Sequence, residues 1–269
     1  MDASKLSETK PYLLKFSDVS KSFNVDNVDR LALQSVSCSV QEGEIITLVG
    51  PSGCGKSTLL NMAAGLYKPS SGQITYLGKP VDGLNHRVGY ITQTDHLLPW
   101  RNVEDNIMIP LEIIGMKKQE RRDRVADLIE LVGLKGFEKS YPGQLSGGMR
   151  KRTALARLLA YDPETLLMDE PFGALDAQLR LLLQIELVRI ARKFNKTVLF
   201  VTHDLDEAVA LADRCIVFRG RPGKIIDTID ISLPRDRDLM TLRFNKDYVD
   251  ICAQLWKQLS GTIEAGANK

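Results

Sequence analysis

The chain has 269 residues, 43% of them hydrophobic and 26% charged, which is the balance of a globular protein and excludes a disordered or fibrous one. Its length favours one large domain with an inserted or appended lobe. The net charge of +2, from 36 basic and 34 acidic residues, gives no electrostatic reason to expect a nucleic-acid partner.

Three further features concern the cellular setting. The longest apolar run, residues 208–212, is far shorter than the roughly 20 residues of a membrane-spanning helix. No basic stretch followed by an apolar segment opens the sequence, so we expect no export signal and a polar, mobile tail over residues 1–10. The cysteines are widely spaced and predict neither a metal knuckle nor a disulfide framework, as in a reducing cytosol.

The first part of the chain carries a β pattern. Hydrophobic alternation over residues 13–40, interrupted by the polar stretch 24–29, predicts an antiparallel β layer. Residues 44–49 form a short apolar run typical of a buried strand, and residues 57–64 predict a helix that ends at Gly65. Strand, glycine-rich loop and helix therefore follow one another directly.

The middle of the chain loses its β signal. Helical patterns cover residues 103–114, 118–132 and 147–160, separated by glycines and a proline. We therefore predict an inserted α-helical subdomain over about residues 94–160.

Strand patterns return at residues 165–168 and 197–202, on either side of an amphipathic helix at 177–194. This alternation predicts βαβ units and a parallel sheet. Final strands near 214–218 and 224–231 lead into helices. The expected organisation is a main domain over 11–232 and a C-terminal helical extension over 233–269.

Residues 50–57 read Gly-Pro-Ser-Gly-Cys-Gly-Lys-Ser and match the P-loop pattern G-x-x-x-x-G-K-[ST] between a predicted strand and helix. The glycines let backbone amides turn toward a β-phosphate, Lys56 reaches the β- and γ-phosphates, and Ser57 can ligate Mg²⁺. We predict an α/β fold with a P-loop NTPase (RecA-like) core, an antiparallel β subdomain and the inserted helical subdomain. The expected nucleotide-binding residues are Gly50, Pro51, Ser52, Gly53, Cys54, Gly55, Lys56, Ser57 and Thr58.

Cys54 lies within this loop, close to Lys56 and just before a helix N-terminus. Such an environment lowers a thiol pKa and raises its reactivity. We therefore expect a reactive thiol that faces the phosphates and that nucleotide protects.

Three further residues fall at the ends of predicted strands. Asp169 is the candidate second ligand for Mg²⁺, and Glu170 could orient or deprotonate an attacking water. Taken alone, this acidic pair is more often a solvated turn or a helix cap, and the P-loop favours the catalytic interpretation. His203 follows another strand and is placed at the carboxyl edge of the sheet, where open α/β folds bind ligands.

Ser146, Gly147 and Gly148 open the third predicted helix and could form a second anion site. Arg150, Lys151 and Arg152 crowd its first turn, where the helix dipole disfavours cations. Either a nearby polyanion offsets that cost or the three side chains are solvated surface charges.

In order and spacing, these motifs over residues 13–231 resemble the ATPase subunits of ATP-binding cassette (ABC) transporters. The resemblance implies ATP hydrolysis with Mg²⁺, a Q-loop Gln93 that touches the metal, and a signature motif at 145–149. It also implies a D-loop at 174–176 that includes Asp176, and a switch role for His203. Phe23 falls where the family stacks an aromatic ring on adenine, with core packing as the alternative. Met149 departs from the usual signature glutamine and supplies no amide hydrogen bonds.

The segments 97–103, 171–176, 221–224 and 233–235 narrow the resemblance to the ATPases of bacterial nitrate, sulfonate and taurine importers, a group that also serves bicarbonate and pyrimidine precursors. In that group the segment after the Q-loop helps receive a helix of the permease, and Trp100 is either part of that groove or an ordinary core residue.

The resemblance implies an importer subunit at the cytoplasmic face of the inner membrane, dimerised with itself or with a paralogue. Its further partners would be permease subunits and a periplasmic or lipid-tethered solute-binding protein. The alternatives are a non-transport ABC ATPase and a nucleotide-sensing regulatory subunit.

Overall fold

A computed structural model of the protein describes residues 12–173 and 175–260. The predicted tail over 1–10, Ala174 of the predicted D-loop and the last part of the C-terminal extension, 261–269, lie outside the described residues.

The core is a six-stranded sheet in the order β10-β9-β3-β8-β7-β6. Five of its strands run parallel, and β10 pairs antiparallel with β9. Every residue of β3, β7 and β8 is buried, because helices or the second sheet cover both faces. The bounds are β3 Ile45–Val49, β6 Val88–Ile91, β7 Thr165–Asp169, β8 Thr197–Val201, β9 Arg214–Arg219 and β10 Lys224–Asp230.

The predicted antiparallel layer is a four-stranded sheet in the order β2-β1-β4-β5. Its long hairpin and the parallel sheet share one hydrophobic cluster that also contains α1. The bounds are β1 Tyr12–Val25, β2 Val28–Gln41, β4 Ser71–Tyr76, β5 Lys79–Pro80 and α1 Lys56–Ala63.

Three helices lie between β6 and β7, within two residues of their predicted ends: α2 Val103–Ile113, α3 Lys118–Leu131 and α4 Gly147–Ala160. They pack on one another through buried aliphatic residues such as Ile107, Leu128 and Leu155. The other helices are α5 Ala177–Lys193, α6 Leu205–Leu211 and α7 Lys246–Ser260. Among the described residues, no helix is long and apolar enough to cross a membrane.

Asp213 links three elements at the edge of the sheet where β3 and β9 begin. Its carboxylate accepts hydrogen bonds from the Arg192 guanidinium at 2.9 and 2.7 Å and from the Ile45 N–H at 2.9 Å. Burial by itself would raise the pKa of Asp213, but these hydrogen bonds outweigh it and hold the pKa below its ordinary value of 3.8. A carboxylate with a lowered native pKa stabilises the fold above about pH 4 and loses that contribution as pH falls through the native pKa.

We expect Asp213→Asn to lower the free energy of unfolding at pH 7 by about 1–3 kcal/mol, because Arg192 loses a charged hydrogen-bond acceptor. Urea unfolding of both proteins between pH 7 and pH 3 should show this difference shrinking at the acid end. Glu130→Gln, which breaks the exposed pair with Lys135, is the control and should not change the pH profile. A difference that stays constant toward low pH would contradict the assigned role.

Candidate active site

The P-loop leaves the end of β3 and enters α1 through Gly55, which has a φ of 90°. A Cβ atom on Gly55 would lie 2.5 Å from the Leu33 side chain, so both the conformation and the space require glycine. The loop is thus held tightly between the parallel sheet and β2.

The Lys56 side chain folds back over this loop. Its Nζ donates hydrogen bonds to the Gly50 and Pro51 carbonyl oxygens at 2.7 and 3.0 Å, and the residue is 6% exposed. A buried ammonium whose hydrogen-bond acceptors are neutral carbonyls favours an anion nearby. Phosphate groups therefore fit this loop.

Asp169 and Ser57 meet beside the P-loop. The Ser57 hydroxyl hydrogen bonds to the Asp169 carboxylate, which is 7% exposed. Burial raises the pKa of Asp169, although the hydrogen bond from Ser57 and the charge of Lys56 oppose the rise. A hydroxyl and a carboxylate are hard oxygen donors of the kind that Mg²⁺ prefers.

No group of three His, Cys, Asp or Glu side chains in residues 12–173 and 175–260 is arranged to hold a metal. Mg²⁺ sites commonly use one or two carboxylates and take their remaining oxygens from substrate phosphates and water. The donor set here fits that pattern.

Glu170, Gln93 and His203 come together at the same edge of the sheet. Gln93 Nε2 lies 3.4 Å from Glu170 Oε2, and His203 Nδ1 lies 3.4 Å from Glu170 Oε1. Glu170 also has a φ of 47°, a left-handed conformation that non-glycine residues seldom adopt. Strained backbone of this kind often marks functional positions.

The basic residues at the start of α4 contact backbone and side-chain groups of the same chain. Arg150 hydrogen bonds to the Asp95 carboxylate at 3.2 Å, and Lys151 donates to the Gln93 carbonyl. Arg152 donates to the carbonyl oxygens of Val132 and Gly133. In this structure α4 thus uses these side chains to hold the 93–95 segment and the end of α3.

Ser146, Gly147, Gly148 and Asp176 form a second cluster where α4 meets α5. Ser146 caps α4 by accepting a hydrogen bond from the Met149 N–H at 3.2 Å, and Asp176 caps α5. A Cβ atom on Gly148 would lie 3.2 Å from the Leu175 and Leu179 side chains. Ser146 is exposed, so this cluster presents its hydroxyl to the surface.

Phe23 is partly exposed and pairs edge to face with Tyr67, with 5.4 Å between ring centroids. The Lys21 ammonium lies 5.2 Å from the Phe23 centroid. Core packing, the alternative for Phe23, is therefore wrong. The sequence analysis did not single out Tyr67, because its only local signal is its position shortly after Gly65, the predicted end of the helix.

The segment after Gln93 lines an apolar groove between the sheet edge and α2. Adjoining cavities of about 310 and 420 Å³ share Tyr90, Pro110, Ile113 and Tyr161, and the smaller one includes Thr94 and Asp95. Ile113 is 79% exposed and Trp100 is 71% exposed. The alternative of a core tryptophan is therefore wrong for Trp100, although Trp100 lines neither of these two cavities.

Cys54 does not match its prediction. Its side chain is fully buried in the core cluster beneath the loop, and its Sγ lies 3.6 Å from Lys56 Nζ. The spacing of the motif places its backbone in the loop but does not reveal the direction of the thiol. Only the backbone of Cys54 is therefore available to contact a nucleotide.

The family model described as "ABC transporter" matches residues 33–173, more than half of the chain. An aliphatic sulfonates import ATP-binding protein of Bacillus licheniformis is 46% identical over 217 residues, covering 81% of this chain and 84% of its own length. A taurine import ATP-binding protein of Yersinia pestis is 45% identical over 201 residues, covering 75% of this chain and 79% of its own. A solved dimeric ATP-binding cassette, bound to ADP and Pi after hydrolysis, is 30% identical with a TM-score of 0.76, covering 82% of this chain and all of that one.

The burial of Cys54 predicts that maleimide does not modify it in the native protein, with or without ATP and Mg²⁺. Cys215 is the matched control, since both side chains are 0% exposed. Peptide mass spectrometry should find both thiols modified only after unfolding in urea. Native labelling of Cys54 that is faster than that of Cys215 and slowed by ATP would contradict the structure.

Proposed function

This chain belongs to the ABC transporter family, and on that premise we propose that it energises import of a small anion or organic solute through separate permease subunits. The protein is an ATPase. The names of the sulfonate and taurine import proteins support a solute of the nitrate, sulfonate, taurine or bicarbonate type.

One observation supports the catalytic part of the proposal above all others. The P-loop, Gln93, Glu170 and His203 follow four parallel strands and meet at one edge of the sheet. A binding-only protein has no need of a carboxylate between an amide and an imidazole, so this grouping favours hydrolysis over a nucleotide-sensing subunit.

In the proposed mechanism the backbone amides of the P-loop and Lys56 bind the phosphates. Ser57, Asp169 and Gln93 would hold Mg²⁺, which when bound would neutralise negative charge on the phosphates. Glu170 orients the attacking water and accepts its proton. His203, next to Glu170, holds that carboxylate in position.

The exposed cluster of Ser146, Gly147, Gly148 and Asp176 is proposed to close over the nucleotide of a second subunit. Its hydroxyl and helix N-terminus suit an anion, and it lies on a different part of the chain from the P-loop. The dimeric cassette that this chain resembles supports such an assembly. The second subunit is a copy of this chain or a paralogue.

The groove lined by Ile113 and the 94–95 segment is proposed to receive a helix of the permease. Its apolar lining and highly exposed isoleucine favour a protein partner over water. The same segment begins next to Gln93, so the groove and the catalytic edge share one stretch of backbone. A permease would place the protein at the cytoplasmic face of the inner membrane, with a solute-binding protein delivering the solute from the other side.

We expect Glu170→Gln to lower ATP turnover by about 10²-fold or more, because the amide cannot accept the proton of water. ATP binding should persist, and a closed dimer should accumulate in ATP and Mg²⁺, as measured by size-exclusion chromatography.

Two second-site changes in this background serve as controls. Ser146→Arg should abolish the dimer and leave ATP binding by each monomer, whereas Lys56→Ala should abolish both. Phosphate release near the wild-type rate in Glu170→Gln would remove Glu170 from the proposed role.

Ile113→Asp should leave ATP hydrolysis by the isolated subunit unchanged and prevent co-purification with its permease subunits from detergent-solubilised membranes. A charge in the apolar groove would have to be buried on docking, which is unfavourable. Ile226→Asp, on the exposed part of β10, is the matched control and should co-purify normally. Normal co-purification of Ile113→Asp would refute the groove as the docking surface.

A further inference from the structure

The turn between β9 and β10 lies directly against the P-loop. Arg221 Nη2 donates a hydrogen bond of 2.6 Å to the carbonyl oxygen of Ser52. Gly223 approaches so closely that a Cβ atom on it would lie 1.8 Å from the Cys54 carbonyl oxygen. The turn thus contacts the P-loop at two backbone carbonyl groups, those of Ser52 and Cys54.

The hydrogen bond to Ser52 fixes the orientation of a P-loop peptide. In a trans peptide the carbonyl and the following N–H point in opposite directions. With the Ser52 carbonyl directed at Arg221, the Gly53 N–H points to the face of the loop away from the turn. Phosphate binding by a P-loop depends on such N–H groups pointing toward the anion.

The guanidinium also lies close to Gly53. A Cβ atom on Gly53 would be 2.7 Å from Arg221 Nη2 and 3.0 Å from its Nε. Only a glycine leaves room for this approach, so the loop residue and the arginine fit one another.

The turn is itself anchored to β2. The Gly223 N–H donates to the Ala32 carbonyl, and the Gln34 N–H donates to the Gly223 carbonyl, both at 2.9 Å. Because β2 belongs to the antiparallel sheet and β9 to the parallel one, both sheets hold the turn that carries Arg221 in place beside the P-loop.

We propose that Arg221 is a positioning residue, which holds the peptide between Ser52 and Gly53 in the orientation that binds the β-phosphate. The inference rests on the proposed nucleotide site at the P-loop. An interaction that acts alike on bound substrate and transition state changes KM and leaves kcat unchanged. Arg221 should therefore set the affinity for nucleotide rather than the rate of the chemical step.

The test compares Arg221→Ala, Arg221→Lys and the control Lys224→Ala, which removes the same charge from the first residue of β10, next to the turn. Arg221→Ala should raise KM for ATP, and Kd for both ATP and ADP, by about 3- to 10-fold, the loss expected for an exposed charged hydrogen bond. The value of kcat and the melting temperature without nucleotide should stay at wild-type values. Arg221→Lys, which keeps a donor, should recover part of the affinity, and Lys224→Ala should resemble wild type.

Three outcomes would overturn the proposal: unchanged KM in Arg221→Ala, an equal effect of Lys224→Ala, or weaker binding of ATP with unchanged binding of ADP. The last would mean that Arg221 acts on the γ-phosphate directly, because both nucleotides carry the β-phosphate. Lys56→Ala separates this inference from the proposed function. If Lys56→Ala binds nucleotide normally, the proposed site is wrong, whereas loss of binding in Lys56→Ala alone refutes only the role of Arg221.

Discussion

The site depends on the parallel register of the strands around β3. Leu48 pairs with Val201, and Val201 in turn pairs with Asp169, so three neighbouring strands end at the same level. Strands in a sheet lie about 4.8 Å apart, which brings the residues that follow them within reach of one another. A slip of one residue in any of these strands would reverse the faces of its side chains. Burial of β3, β7 and β8 on both faces opposes such a slip, and the hydrophobic core thereby fixes the geometry of the candidate site.

Glu170 shows what this geometry costs locally. Its left-handed backbone is unfavourable by roughly 1–3 kcal/mol for a residue with a side chain. The Glu170 N–H is held by the Val201 carbonyl at 3.0 Å, which extends the strand pairing one residue beyond β7. The sheet thus stabilises a conformation that the isolated segment would leave, and the carboxylate is turned toward Gln93 and His203.

Most of the secondary structure could be predicted from the sequence because the relevant signals are local. The ends of α2, α3 and α4 follow from glycines, a proline and a helical period, and the parallel sheet follows from alternating strand and helix patterns. The P-loop residues could also be located from spacing alone. What spacing leaves out is the direction of a side chain, and for that reason the burial of Cys54 was missed.

Contacts between distant segments were the other gap. Arg221 lies 169 positions from Ser52 in the sequence, and its neighbours in the chain give no sign of a P-loop contact. The partners of Arg150 and Lys151 were likewise missed. An argument from the helix dipole considers only the helix that carries the two cations, whereas their partners, Asp95 and Gln93, lie in a different loop. Such pairings form only in the folded protein, once the two sheets and the helices α2, α3 and α4 have packed together.

The shared backbone at residues 93–95 has a thermodynamic consequence. Gln93 faces Glu170, while Thr94 and Asp95 line the groove. Asp95 also accepts a hydrogen bond from Arg150 of α4. Two ligands that bias the same segment have coupled affinities, and that coupling is reciprocal. By whatever factor occupancy of the groove strengthens nucleotide binding, nucleotide must strengthen occupancy of the groove by the same factor. Under the proposed function, the 93–95 segment would therefore couple nucleotide binding and permease docking equally in both directions.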